Sequence, residues 1–442
     1  MPIHQKFFPA IEQESQVHIG EFQNARLQDA LQYLDANSPY YRALFKTHKI
    51  DIKKIKTTAD LVNIPVTTKD DLQRYNDDFL CVPKTRIIDY ITTSGTLGDP
   101  VTFAMTDKDL DRLAYNEAIS FTCAGGSASD VYQLMTTIDR RFMAGLAYFL
   151  GIRMLGASVV RVGNGIPELQ WDTIQRIKPN AIIAVPSFIL KIIEYADQHG
   201  IDYRKSSITS AVCIGEPLRK SDMTLNTLGR KITERWDLKL FSTYASTEMG
   251  TSFTECEAGA GGHHHPELII VEFLNDQDMP VGPGELGEVT VTTLGVEGMP
   301  LLRFKTGDVC HHFTTPCTCG RNTLRLGPLV GRKNQMIKYK GTTLFPPALY
   351  DILDNIDYVS NYIVEVYTNQ IGTDEILIHL SGKGIGEEKE KDIKDHFRAK
   401  LRVAPLITFT SESTIQKMQF PEISRKPVKF IDNREKNGSF SV

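Results

Sequence analysis

From residue 131 onward, short apolar runs alternate with segments whose apolar positions recur every three or four residues. The runs 131–138, 159–162, 181–185, 208–214 and 238–244 read as strands, and 142–155, 168–177, 188–199 and 219–236 carry the helical period. Ser187 is the expected cap of the third helix. Near-continuous apolar strands joined through helices need crossover connections, so the pattern predicts an α/β fold: a doubly wound, mostly parallel sheet with helices on both faces. Such sheets bind ligands beyond the carboxyl ends of their strands. The loops to inspect therefore follow Ile91, Ile138, Ile214 and Tyr244.

After Glu267 the period changes. Residues 268–274 and 286–293 alternate around Gly282-Pro283-Gly284, which predicts antiparallel strands in a β-rich subdomain of about 250–330. Beyond Gly331 the pattern predicts a helix at 347–356, strands at 362–367 and 376–380, an amphipathic helix at 387–401, and strands at 407–410 and 428–431. About a hundred residues of α+β pattern suffice for a separate domain. The expected division is a large N-terminal domain, 1–331, and a small C-terminal one, 332–442.

Composition narrows the functional classes. The 442 residues exceed one typical core, and 41% hydrophobic with 24% charged residues is ordinary for a soluble globular chain. A net charge of -4 offers no basic excess for nucleic acid or an anionic membrane. The richest apolar stretch, 181–193, is interrupted by Pro186 and too short to span a bilayer. The first ten residues lack a signal-peptide pattern, so the cytoplasm is the expected compartment. Seven unevenly spaced cysteines do not suggest a disulfide framework.

The loop 92–100, Thr-Thr-Ser-Gly-Thr-Leu-Gly-Asp-Pro, follows a strand at 87–91. Glycines let backbone N–H groups converge and hydroxyls add donors, which suits phosphate oxygens; the same residues also make ordinary turns. Its glycine spacing is not that of a Walker A loop, and Gly163-Asn164-Gly165 does not complete a dinucleotide fingerprint. Gly215-Glu216-Pro217 follows one strand, and Tyr244-Ala245-Ser246-Thr247-Glu248 follows another. There an aromatic ring can stack on a base, a hydroxyl can bond phosphate, and a carboxylate can hold Mg²⁺; core packing and a solvated charge are the plainer readings. Asp308, expected after a tight turn at Thr306-Gly307, suits two ribose hydroxyls or the turn itself. Arg332 and Lys426 are cations for a nucleotide or ordinary surface charges.

Cys256, His263-His264-His265, Cys310 and Cys317-Thr318-Cys319 form a second constellation. Thiolates and an imidazole can close a tetrahedral Zn²⁺ site with no open catalytic position, against the alternative of buried free thiols.

In order, Thr93-Ser94-Gly95-Thr96, Gly215-Glu216-Pro217, 244–248, Thr306-Gly307-Asp308, Gly331-Arg332 and Lys426 make a set far more specific than any member. It resembles the adenylate-forming superfamily, and most closely its phenylacetate-CoA ligase branch, over about residues 20–434. The resemblance implies that a carboxylate attacks MgATP to give acyl-AMP and pyrophosphate, and that CoA then displaces AMP. By the same carry-over Thr93, Ser94, Gly95 and Thr96 hold phosphate, and Glu216 and Tyr244 line adenine, with Gly215, Pro217, Ala245 and Ser246 shaping the nucleotide site. Thr247 touches the α-phosphate, Glu248 binds Mg²⁺, and Asp308 and Arg332 hold the ribose. Lys426 bridges acyl and phosphate oxygens during adenylation, and the small domain then rotates to admit CoA past Gly341. Cys256, His263, Cys317 and Cys319 carry over as zinc ligands, with His265 and Cys310 as substitutes. Phe142, Tyr148 and Pro186 are candidates for an apolar acyl pocket, and an aryl acetate is the implied acid. Three departures stand out: Asp99 where relatives commonly carry Lys, Asn334-Gln335 at the hinge in place of an acidic pair, and Arg425-Lys426-Pro427 around the lysine. Expected partners are the acid, ATP and CoA, with a homodimer as the candidate assembly and no nucleic acid or membrane. The rival readings are adenylation that loads a carrier protein, and a nucleotide-binding homologue without turnover.

Overall fold

The computed structural model describes residues 7–93, 101–339, 342–369, 372–382, 384–420 and 428–434. The chain divides into two compact units, Met1–Leu329 and Val330–Val442. In the first, β1 (Ile87–Thr92) and β2 (Thr102–Thr106) form an antiparallel pair. Then come β3 (Val131–Leu134), β4 (Ser158–Arg161), β5 (Ala181–Ala184), β6 (Ser210–Ile214) and β7 (Lys239–Ser246). These five are parallel neighbours, as their apolar runs and intervening helices predict.

The sheet does not stop there. β8 (Thr251–Glu255), β9 (Gly262–His263), β10 (Ile269–Leu274), β11 (Leu286–Thr293), β12 (Phe304–Phe313) and β13 (Arg325–Arg332) extend it. The order is β10-β11-β12-β13-β9-β8-β7-β6-β5-β3-β4. The antiparallel strands thus continue the parallel sheet edge to edge, and backbone hydrogen bonds join the two patterns.

Helix boundaries show where local chemistry overrides periodicity. The segment 219–236 is helical only over Thr227–Arg235, because Asn226 caps it and Arg219 pairs with Leu225 in a β-bridge. Ser187 is not a cap: the helix Pro186–Gln198 starts after Val185, with proline in its first turn, and the Ser187 amide donates to Glu216 Oε2 at 2.8 Å. A carboxylate from the next strand's loop therefore satisfies the helix terminus that Val185 cannot cap. The helix Asp107–Cys123, which apolar period alone does not reveal, begins at a reciprocal Thr106/Asp109 capping box. The Asp109 carboxylate also accepts from the amides of Glu297 and Gly298, at 2.7 and 2.8 Å, tying this helix to the loop after β11.

The second unit is α+β. β14 (Ile337–Tyr339) pairs antiparallel with β15 (Thr342–Leu344). β16 (Val359–Thr368), β17 (Asp374–Gly382), β18 (Leu406–Phe409) and β19 (Phe430–Asp432) make a sheet in the order β18-β17-β16-β19. Leu349, Ile352, Ile393 and Phe397, from the helices Pro346–Asp354 and Glu387–Leu401, bury against it. Among the described residues no helix is long and apolar enough to cross a membrane.

Candidate active site

Thr93 leaves β1 buried, and its side-chain oxygen accepts from the Val101 amide at 3.1 Å. The same residue's amide donates to the Val101 carbonyl at 3.0 Å, so both ends of the 92–100 loop are clamped. Ser94, Gly95, Thr96 and Asp99 lie outside the described residues. Gly215 follows β6 with φ of 76°, a conformation that L side chains disfavour, and so turns the chain sharply into Glu216 and Pro217.

Tyr244, Ala245 and Ser246 end β7, and Thr247 and Glu248 form the turn into β8, half-buried. The Tyr244 hydroxyl donates to Asp308 Oδ2 at 2.9 Å. Burial, then the nearby Asp308 charge, hold the Tyr244 hydroxyl protonated by pushing its pKa well above the ordinary phenol value. Asp308 does not follow a tight turn. It lies inside the ten-residue β12, where Glu288 pairs with Val309 and Thr290 pairs with Lys305. One residue on β11 therefore faces three on β12, and the bulge Thr306-Gly307-Asp308 re-aims the acidic side chain. Gly307, with φ of 78°, permits that bend.

The turn at Glu248 meets a small cavity of about 40 Å³ lined by Ile91, Met105, Met143, Thr247, Glu248 and Val296, among others. Its size suits a water or two and falls far below the roughly 300 Å³ of an ordinary ligand pocket. Phe142, Tyr148 and Pro186 are not on its wall. Tyr148 is core: it is buried and packs against Phe121 with ring centroids 6.0 Å apart. Pro186 is buried at its helix start, and Phe142 is the half-buried residue before the helix Met143–Leu155. The acyl-pocket expectation thus loses Tyr148, because a helix buried on one face spends its aromatics on the core.

In the second unit Arg332 is exposed at the end of β13. Asn334 and Gln335 lie in a short 3₁₀ turn, Lys333–Gln335. Arg434 holds that turn through the carbonyls of Asn334 and Met336, at 3.1 and 2.7 Å. Lys426 and Gly341 lie outside the described residues.

The cysteine cluster closes in space. One ligand atom from each of Cys256, His263, Cys317 and Cys319 lies within 4.8 Å of every other. The Cys256 and Cys317 sulfurs are 3.6 Å apart, and Cys319 Sγ is 3.5 Å from His263 Nε2. Tetrahedral ligands at about 2.3 Å from Zn²⁺ put sulfurs about 3.8 Å from one another, so the spacing fits such an ion. His263 Nδ1 meets Thr323 Oγ1 at 3.1 Å, which fixes the ring with Nε2 toward the thiols. Contact with Cys256 lowers the Cys319 thiol below its ordinary range, while the same contact and burial raise Cys256. A divalent cation removes that conflict by stabilising both as thiolates.

Neither substitute ligand joins the cluster: His265 is claimed by its own bonds and Cys310 lies within β12. His265 Nδ1 meets Glu12 Oε1 at 2.5 Å and its Nε2 meets Ser120 Oγ at 3.3 Å, while Cys310 is buried opposite Gly287 in the sheet. Sequence reasoning missed Glu12 altogether. Fully buried, it also accepts from Arg321 Nε at 2.7 Å, and Arg321 Nη1 lies 3.6 Å from Cys319 Sγ. No local pattern announces a carboxylate whose partners stand some 250 and 310 residues away.

A family model described as AMP-binding enzyme matches residues 34–297, more than half of the chain. The chain belongs to the AMP-binding enzyme family. Its members among curated relatives include the phenylacetate-coenzyme A ligase of Thermus thermophilus, 29% identical over 350 residues, with 78% of this chain and 77% of that protein covered. The phenylacetate-coenzyme A ligase of Escherichia coli is also 29% identical, over 368 residues, covering 80% and 81%. Among solved structures, 2-hydroxyisobutyryl-CoA ligase in the postadenylation state, in complex with R3-HIB-AMP, superposes with a TM-score of 0.84. That match covers 96% of this chain and 92% of the other at 20% identity, and it shows a shared fold. The family model spans Thr93, Gly215, Glu216, Tyr244, Thr247 and Glu248, and stops short of the zinc-type cysteines at 317 and 319.

Proposed function

We propose that this family member is an AMP-forming acid–thiol ligase, acting on an aryl or other small hydrophobic carboxylic acid. The observation that carries the reading is the placement of Thr93, Glu216, Tyr244, Thr247 and Glu248 at strand ends and of Asp308 at a bulge, with the Tyr244–Asp308 bond presetting the acidic group. The acid's carboxylate attacks the α-phosphorus of MgATP; the P–O bond to pyrophosphate breaks and acyl-AMP forms. The CoA thiol, losing its proton, then attacks the acyl carbon and AMP departs. Asp308 binds the ribose hydroxyls, Thr247 donates to the α-phosphate, and Glu248 holds the Mg²⁺ that accompanies ATP. Arg332 contributes to the ribose, and Gly341 leaves room for the pantetheine arm.

Lys426 gives most where negative charge appears in the transition state and not before it, which assigns it to adenylation. Incubation of the purified chain with MgATP and a panel of acids tests the reading. Acid-dependent pyrophosphate release is expected, followed by thioester with free CoA. No release with any acid would sink it, and release without CoA thioester would point to a carrier-protein acceptor.

Cys256, His263, Cys317 and Cys319 are proposed to hold a structural Zn²⁺, which when bound would clamp β8 and β9 to the loop before β13. Elemental analysis should find about one zinc per chain, lost in Cys319→Ser, with a melting temperature several degrees lower. Metal-free wild type whose melting is indifferent to chelator would remove the assignment.

A further inference from the structure

The helix Asp107–Cys123 pins two neighbouring segments through its first two turns. Arg112 spends its guanidinium on four acceptors. Nε donates to the Leu294 carbonyl and Nη1 to the Gly250 carbonyl, each at 2.7 Å; Nη2 donates to the Leu268 carbonyl at 2.6 Å and to Thr251 Oγ1 at 3.1 Å. Gly250 belongs to the turn between β7 and β8, Leu268 precedes β10, and Leu294 follows β11. Charge-assisted bonds of this kind are the strong ones. Three residues earlier, Asp109 accepts from the amides of Glu297 and Gly298. Arg112 therefore holds the turn that follows Glu248, and both side chains hold the loop after β11.

The cavity of about 40 Å³ lies between those pinned segments. Met249 and Gly250 reach it from the turn, Val296 and Met299 from the loop, and Met105 and Met143 line it from β2 and from the start of the helix Met143–Leu155. Arg112 and Asp109 stand on its wall with their polar groups already bonded, so what the wall offers an occupant beyond the Thr247–Glu248 turn is chiefly apolar surface.

Thr247 and Glu248 line the same cavity. During adenylation the acid's carboxylate has to reach the α-phosphorus, which the ligase reading sets beside Thr247, so the acyl group starts at this turn and its tail fits the cavity. Size then selects. A dry apolar cavity of about 150 Å³ takes up a benzene ring; this one, at about 40 Å³, has room for roughly two or three carbons. Methionine side chains adapt in shape, yet Met249 and Met299 sit on segments that Arg112 and Asp109 fix, so a bulkier tail meets a wall that resists overpacking.

We propose, resting on the ligase reading of the same site, that the acid activated by this chain is a short aliphatic one, of propionate to isobutyrate size, whose tail fills this cavity. An aryl acetate, the acid that the family resemblance implies, is excluded by the same wall.

Acid-dependent pyrophosphate release by the full chain with MgATP tests this, as kcat/KM for acetate, propionate, butyrate, isobutyrate, octanoate and phenylacetate. Wild type should favour propionate, butyrate or isobutyrate over phenylacetate by about tenfold or more, the effect of forcing an oversized group into a packed site. Met143→Ala removes Cγ, Sδ and Cε from the wall and should move the optimum to a longer acid. Met105→Ala opens the cavity from β2 and should do the same, which keeps the test available if either variant fails to fold. Phenylacetate or octanoate as the best acid of wild type, or an optimum unmoved in whichever variants fold, overturns the inference and leaves the ligase reading intact. No release with any acid defeats both.

Discussion

Glu12→Gln should lower the free energy of unfolding by about 3–5 kcal/mol, the cost of breaking a buried ion pair from one side. Glu12 has no exposed surface; His265 Nδ1 lies 2.5 Å from Oε1 and Arg321 Nε 2.7 Å from Oε2. Glutamine keeps the shape and removes the charge, leaving the Arg321 guanidinium buried without its carboxylate and with Cys319 Sγ, 3.6 Å from Nη1, as its remaining polar neighbour at that end. Arg321 Nη2 already has no hydrogen-bond partner among the described residues. Urea unfolding monitored by fluorescence measures the difference, and a change below about 1 kcal/mol would show that the pair is not maintained in solution.

The acid side of the stability profile should change with it. Burial by itself raises the Glu12 pKa, but the charges of His265 and Arg321 and their hydrogen bonds outweigh it and hold the carboxyl below its ordinary 4.5. A depressed folded value means that this stabilisation is present above pH 4.5 and is lost as pH falls through the folded pKa. Glu12→Gln removes that segment of the acid limb. The difference between variant and wild type should therefore shrink as the pH drops below the ordinary carboxyl value.

Lys426→Ala should reduce acyl-AMP formation by a factor on the order of 10²–10³, the loss typical of removing one donor aimed at developing charge. Thioester formation from CoA and pre-formed acyl-AMP should stay near wild type, because the lysine is assigned to the first half-reaction alone. Single-turnover pyrophosphate release and a separate thiolysis assay distinguish the halves. Equal losses in both would place Lys426 in general nucleotide binding, and no loss in either would remove it from the site.

Much of the fold is legible in the residues. The inner strands β5 and β6 announce themselves because they are buried nearly throughout and so are largely apolar, whereas the edge strand β4, exposed at Ser158 and Arg161, shows only Val159 and Val160. The amphipathic helix Glu387–Leu401 is equally plain, since its core contacts Ile393 and Phe397 recur at helical spacing. The helix Asp107–Cys123 is harder, for it buries Asn116, Glu117 and Ser120 among its apolar residues and so blurs the period. Its Thr106-x-x-Asp109 signal was available, as was Thr68-x-x-Asp71 ahead of the helix Lys69–Arg74.

The candidate site divides in the same way. The order of Thr93, Gly215-Glu216, Tyr244 to Glu248 and Asp308 can be read along the chain because strand-end loops are local and glycines mark them. The bulge that turns Asp308 toward Tyr244 cannot, since it depends on register between β11 and β12. The choice of His263 over its two neighbours is also invisible locally: three adjacent imidazoles look alike until Thr323, Glu12 and Ser120 claim particular nitrogens.

Residue order and periodicity were therefore enough for the layered α/β architecture, the α+β segment after β13 and the run of nucleotide-type motifs, because each rests on chemistry within a few residues. Tertiary contacts bring together the four metal-type ligands that the family resemblance names, and they alone moved Tyr148 into the core and gave Glu216 to the helix at Ser187. Each of those outcomes is a hydrogen bond or packing contact between segments far apart in sequence. Such contacts are set by strand register and burial, which no local window contains.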